Sequence, residues 1–256
     1  MKLLEVRKLS KTFGGLKAVS QLDFDVREGE ILGLVGPNGA GKTTVFNLIT
    51  GIYLPNAGKI LFHEEDITGL KPHKIASQGI ARTFQLTTLY TNCSALENVI
   101  IGHHLKMRTG VWSILCRTPF YWDEEKKAKQ SSSKLLQFVG LSGQESILAK
   151  NLPHGHQQRL KIAIAISSVP QLLLLDEPVS GMNPEETNEM MALIGKIRAN
   201  GMTIIMIEHD MKAVMGLCDR IVVINYGEKL AEGSPQQIKE NQEVIEAYLG
   251  REDDFA

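Results

Sequence analysis

Ile31-Leu32-Gly33-Leu34-Val35-Gly36-Pro37-Asn38-Gly39-Ala40-Gly41-Lys42-Thr43-Thr44 is the stretch from which the rest of the chain is read. Residues 36–43 fit the pattern G-x-x-x-x-G-K-[ST] at every defined position. The apolar run Ile31 to Val35 reads as a buried strand. Thr43 to Thr50 reads as a helix, with Gly51 as its stop. A strand, a glycine loop and a helix start are what a phosphate site needs. Glycines let the backbone N–H groups of residues 38–41 turn inward around an anion. The helix start adds unpaired donors and partial positive charge. Lys42 can reach the outer phosphates, and the Thr43 hydroxyl can ligate Mg²⁺, with Thr44 behind it.

The chain has 256 residues and is 43% hydrophobic, enough for one packed domain or a domain carrying an inserted lobe. The net charge is −1 and no basic face is concentrated anywhere, which speaks against a nucleic-acid partner. Lys126, Lys127 and Lys129 adjoin Asp123-Glu124-Glu125, the mixed charge of a solvated helix. Cys93, Cys116 and Cys218 are too far apart for a metal set or a disulfide framework and suit a reducing compartment. The first thirty residues carry no signal-peptide pattern, and no apolar run has bilayer-spanning length. Any membrane role is therefore expected to work through a partner.

Along the chain, Leu4 to Arg7 and Leu22 to Val26 alternate like half-exposed antiparallel strands. Lys59 to Phe62 is a further strand. Residues 86 to about 150 turn helical and amphipathic, as in Asp123 to Val139 before Gly140, and read as an inserted lobe. Gln171 to Leu175 and Met202 to Ile207 are all-apolar strands on either side of a helix. That helix opens on Asn183-Pro184-Glu185-Glu186, a cap, an N1 proline and a capping-box glutamate. Ile221 to Asn225 and Glu228 to Ala231 form a hairpin around Tyr226-Gly227, and Ser234 caps a short C-terminal helix. Apolar strands alternating with helices predict an α/β fold with a mainly parallel sheet covered on both faces.

Polar groups at the carboxyl ends of such strands face the ligand crevice. Asp176 follows four leucines and is placed to hold Mg²⁺, directly or through water. Glu177 is the natural general base for an attacking water. His209 ends the second apolar strand, where an imidazole can orient the terminal phosphate and that water.

With these residues in view, the chain resembles the nucleotide-binding subunit of an ABC transporter over essentially its whole length. Thr12-Phe13-Gly14-Gly15 matches the family's aromatic loop, which implies that Phe13 stacks on adenine. Ala81-Arg82-Thr83-Phe84-Gln85 matches the Q-loop, which implies that Gln85 senses Mg²⁺ and water and links the catalytic core to the helical lobe. Ser180-Gly181-Met182-Asn183 sits at the D-loop, and Glu208-His209-Asp210 at the switch-histidine region. "ARTFQ", "IEHDMKAVMGLCDRI", "VIEAYLG" and the insertion around Gly110 to Pro119 are similar to the ATPases of branched-chain amino-acid importers. The resemblance implies a P-loop NTPase cassette with three parts. They are a core over 1–85 and 160–256 with an antiparallel β part, a helical subdomain over 86–159, and a C-terminal extension over 233–256. It implies ATP and Mg²⁺ as cofactors, a second ATPase subunit, membrane permease subunits and, through them, a substrate-binding protein. It places the chain peripherally on the cytoplasmic face of the membrane. Alternatives are a weakly hydrolysing regulatory subunit of a heterodimer and a lipid-export ATPase. A soluble cassette acting on nucleic acid would carry a second cassette or a long coiled coil, and neither is seen here.

The family signature is Leu-Ser-Gly-Gly-Gln. The aligned residues here are Leu152-Pro153-His154-Gly155-His156. Only Leu152 and Gly155 keep the pattern, so Gly155 is the expected contact to a nucleotide held by the opposite subunit. Pro153 supplies neither hydroxyl nor N–H, although it can sit at a helix start. Ile164 stands where the family usually has arginine.

Overall fold

The computed structural model describes residues 1–83, 89–103 and 119–249. The Gln85 position and most of the Gly110 to Pro119 insertion lie outside the described residues, as does Cys116. The chain divides into two compact units. The first is Met1–Arg82 together with the chain from Gln171, and the second is Thr83–Pro170. The expected boundaries were 85/86 and 159/160. The later one moves because a single helix, His154–Ser167, runs uninterrupted through residue 160 and stays with the second unit.

In the first unit, β1 (Lys2–Phe13) and β2 (Leu16–Arg27) form a long antiparallel hairpin turned at Gly14 and Gly15. With β4 (Ala57–Phe62) and β5 (Glu65–Asp66) they make a four-stranded sheet, order β2-β1-β4-β5. The larger sheet has the order β10-β9-β3-β8-β7-β6. Its strands are β3 (Ile31–Val35), β6 (Ile80–Thr83), β7 (Leu172–Asp176), β8 (Thr203–Ile207), β9 (Arg220–Asn225) and β10 (Glu228–Gly233). β9, β3, β8 and β7 pair in parallel, and β10 returns antiparallel at one edge. Every residue of β3, β7 and β8 is buried, as strands covered on both faces must be. Helix α1 (Lys42–Ile49) buries Phe46 and Ile49 in an apolar core that also holds Leu4 and Phe24 of the small sheet and Leu34 and Ile205 of the large one.

Helix α2 (Pro72–Ser77) leads into β6. In the second unit, α3 (Ala95–His103), α4 (Pro119–Phe138) and α5 (His154–Ser167) pack together. A side chain at Gly102 of α3 would overlap the Ser167 hydroxyl and crowd the Ile164 carbonyl, so glycine sets the approach of α3 to α5. Ile164 turns its Cγ2 methyl group toward this same contact. Back in the first unit, Asn183 and Ser234 each complete a capping box, at α6 (Pro184–Ala199) and α8 (Pro235–Lys239). α7 (Met211–Leu217) and α9 (Gln242–Leu249) complete the described helices.

Gly33 lies in the middle of β3, against the Cys218 sulfur. A Cβ there would meet Sγ at 2.9 Å. Burial, reinforced by Asp219 and Glu208, pushes the Cys218 thiol up to about 12. Reactivity needs the thiolate. In native protein at pH 8, a maleimide should therefore spare Cys218 while labelling it readily in urea, as read by peptide mass spectrometry. Rapid native labelling would show that the strand does not bury the thiol as described.

Candidate active site

The loop after β3 takes its shape from contacts that exclude side chains. A Cβ on Gly36 would run into the Ile224 carbonyl of β9. Gly41 has φ +103° and lies against the Ala18 carbonyl of β2, leaving no room for a larger residue. Gly227, in the β9–β10 turn, touches that same carbonyl, and its N–H donates to Ala40 O at 3.0 Å. Two hairpins thus clamp the loop, and Gly41 becomes the cap residue of α1. No acidic residue occupies the first turn of α1, so its positive end is undiminished.

Lys42 folds back into this loop. Its ammonium donates to Gly36 O at 2.6 Å and Pro37 O at 3.0 Å. An ammonium has three protons, so one is left to point at an anion. Burial pulls the Lys42 pKa down, while Glu177 and Asp176 oppose the shift. Those two carboxylates therefore face the cation.

A cavity of about 580 Å³ opens over the loop. Its walls are residues 38–44, the Phe13 to Ala18 end of the first hairpin, Glu177 and Tyr226. This is within the size range of small-molecule sites. Phe13 is 40% exposed; its ring meets Tyr53 edge-on at 5.2 Å between centroids, and the Lys11 ammonium lies 5.1 Å from its centre. One face of an aromatic wall is thereby fixed beside the phosphate loop. Tyr226 is a large exposed ring in the same cavity that motif reading did not single out. Its only sequence signal was its place in the hairpin turn.

β7 and β8 are in register at Asp176↔Ile207, and β3 and β8 at Leu34↔Ile207, so all three strands end level. Glu177 follows with φ +49°, a left-handed conformation unusual for a non-glycine residue. Such a backbone costs of order 1–3 kcal/mol and is held here by the Glu177 N–H donating to Ile207 O at 2.9 Å. His209 sits just beyond β8 with its ring 59% exposed, and it is not among the cavity walls. Its neighbour Asp210 caps α7 by accepting from the Lys212 and Ala213 N–H groups.

Asp176 has a partner that the sequence did not disclose. Arg82 of β6 donates to its Oδ2 at 2.7 Å and to Asn47 Oδ1 of α1 at 2.6 Å, and its guanidinium lies 5.3 Å from the Phe46 ring centre. The two charged side chains are 4% and 1% exposed. Burial pushes the Asp176 carboxyl up, and Arg82 acts against that. A polar charge in a strand whose neighbours are apolar was the available signal. Its partner lay 94 residues away.

The donor set suits a hard cation. Asp176 offers a carboxylate, and Thr43, exposed at the start of α1, offers a hydroxyl. Among the described residues no three histidine, cysteine or acidic side chains cluster as a protein cage. That fits an ion held jointly by protein and phosphates rather than by protein alone.

In the second unit, Pro153 is the cap residue of α5 and makes no side-chain cap bond. Gly155 is buried in its first turn, and His156 Nδ1 lies 3.0 Å from Gln144 Oε1. Gln157 N–H donates to Pro153 O at 2.9 Å. A serine at 153 and a glutamine at 156 would occupy the two positions of a capping box, so the departures remove that box as well as a hydroxyl.

The profile of the ABC transporter family matches residues 19–180, and one described as branched-chain amino acid ATP-binding cassette transporter matches residues 228–254. The chain is 44% identical over 249 residues to the high-affinity branched-chain amino acid transport ATP-binding protein BraF of Pseudomonas aeruginosa, covering 97% of this chain and 98% of that one. The LivG protein of Escherichia coli, of the same description, matches with the same identity and coverage. A crystal structure of the ADP conformation of an ATP-binding cassette of an ABC transporter superimposes with a TM-score of 0.86 at 29% identity, over 98% of this chain and all of that one.

Removing the guanidinium from a buried carboxylate costs about 3–5 kcal/mol. Arg82→Met should therefore lower stability by that order in urea unfolding, and Asp176→Asn in the same chain should recover part of it. Equal stability of Arg82→Met and the parent would mean that the pair is not closed in solution.

Proposed function

The chain belongs to the ABC transporter family, and from that membership we propose that it is the ATP-hydrolysing subunit of an importer for branched-chain or related amino acids. The observation that carries the reading is a single cavity with a lysine-bearing phosphate loop on one side and Glu177 on the other. Backbone N–H groups of residues 38–41, the α1 start and the Lys42 ammonium bind the phosphates. The base lies against Phe13. Glu177 accepts the proton of the attacking water, and His209 orients that water and the terminal phosphate as its loop closes. Thr43, Asp176 and the Gln85 position would hold Mg²⁺, which neutralises charge on the outer phosphates when bound.

In this reading a second cassette completes the site through the turn at Gly155. Membrane permease subunits take up the motion, and a substrate-binding protein delivers the amino acid. No helix among the described residues is long and apolar enough to cross a membrane; in this reading the chain sits peripherally on the cytoplasmic face, held by the permease subunits. The altered start of α5 favours a refinement: this chain binds ATP through its own loop and offers its partner a weakened signature. Removing one donor to developing charge costs on the order of 10²- to 10³-fold in other enzymes. Beside an intact paralogue, one composite site would then be strong and one weak.

Glu177→Gln should retain ATP binding by calorimetry and lose most turnover, whereas Lys42→Ala should weaken binding itself. Unchanged ATPase activity in both would remove these residues from the mechanism. Pro153→Ser with His156→Gln should raise homodimer turnover and, through the restored capping box, raise Tm. Equal turnover of the two homodimers would show that the altered signature is fully competent.

A further inference from the structure

Glu208 is a buried carboxylate for which the mechanism above has no use. It follows β8, is 1% exposed, and its side chain is fully covered. Each of its oxygens holds a different catalytic loop. Oε1 accepts the Val179 N–H at 2.9 Å, two residues beyond Glu177. Oε2 accepts the His209 N–H at 3.2 Å and lies 3.9 Å from the His209 ring. Val179 is itself buried, and the preceding residue of β8, Ile207, accepts the Glu177 N–H. The segment from Glu177 to Val179 is therefore pinned twice to the end of β8.

We propose that Glu208 is a positioning residue that couples the Glu177 loop to the His209 loop, so that base and switch histidine keep a fixed separation as the site closes. This rests on the roles given to Glu177 and His209 above. The chemistry accounts for the residue type. Two backbone donors converge on one buried point, and an ionised carboxylate is the acceptor-only group that can serve both. Burying that charge is costly, and the Val179 and His209 amides, with the Asp210 amide and the nearby imidazole beside them, offset the cost. A glutamine has the same volume but one acceptor oxygen, and its NH₂ group would confront the second N–H. Aspartate keeps the charge but falls one methylene short.

The test is Glu208→Gln in the full chain, with two readouts. The first is amide hydrogen exchange at Val179 and His209, which needs no catalysis. At least one of the two should exchange ~10-fold faster or more than in the parent, with Tm and MgATP affinity little changed. The second is a double-mutant cycle on kcat with His209→Ala. Glu208→Gln alone should lower kcat ~10-fold or more, and should do almost nothing further once His209 is gone. Unchanged exchange at both amides overturns the tie. An equal loss of kcat with and without His209 overturns the coupling and leaves Glu208 as packing. If Glu208→Gln does not fold, Glu208→Asp takes its place, and the same two outcomes decide. If the parent hydrolyses no ATP, the functional reading falls, while the exchange result still judges the tie.

Discussion

Strands β3, β7 and β8 are buried along their whole length and carry polar side chains only at their ends, Thr203 and Asp176, and this exclusion organises the molecule. A charge placed within such a strand would be stripped of water on both faces of the sheet. Charged groups are therefore confined to the strand ends. Because the three strands are level at Leu34, Ile207 and Asp176, those ends form one line. In the order β3, β8, β7, the glycine loop, the pair Glu208-His209 and the pair Asp176-Glu177 are successive points on it. At the carboxyl rim the ionisable residues Asp176, Glu177, Glu208 and His209 gather where these strands end.

Confining so many charges to one rim creates a second requirement, since each must be compensated. Lys42 is drawn down by burial and held by two carbonyls, with two carboxylates in view. Asp176 is matched by Arg82, which in turn grips α1 through Asn47. Glu208 is matched mainly by amides. Along the rim two cations, Lys42 and Arg82, bracket the carboxylates of Glu208 and Asp176, and each buried charge fixes an element as well as a neighbour. β6 is joined to the end of β7 by one such contact, and the loop after β7 to the end of β8 by another. A left-handed Glu177 is tolerable because these anchors over-determine its place.

What the sequence revealed was local. The phosphate loop, the apolar strands and the capping boxes at Asn183 and Ser234 each lie within a few residues, where spacing alone carries the physics. Arg82 was visible only as one letter of a motif, because its partners Asp176 and Asn47 are remote in the chain. Glu208 read as a neighbour of a histidine, since nothing in the string tells that Val179 comes to meet it. Gly33 looked like any apolar-strand residue, and only the Cys218 sulfur against it explains the missing side chain. The lobe extends to Pro170 rather than 159 because α5, which begins at the signature turn, runs unbroken to Ser167. Tertiary partners, rather than propensities, account for each of these gaps.

The Ala18 carbonyl, flanked by Gly41 on one side and Gly227 on the other, carries a lesson for recombination. Three segments far apart in the chain, from the opening hairpin, the phosphate loop and the late hairpin, share a gap that no methyl group can enter. Exchanging any one of them for the counterpart from another cassette would displace the other two. Chimaeras that swap all three together should keep their grip on nucleotide, and shuffling schemes that cut between them are working against the grain of the molecule.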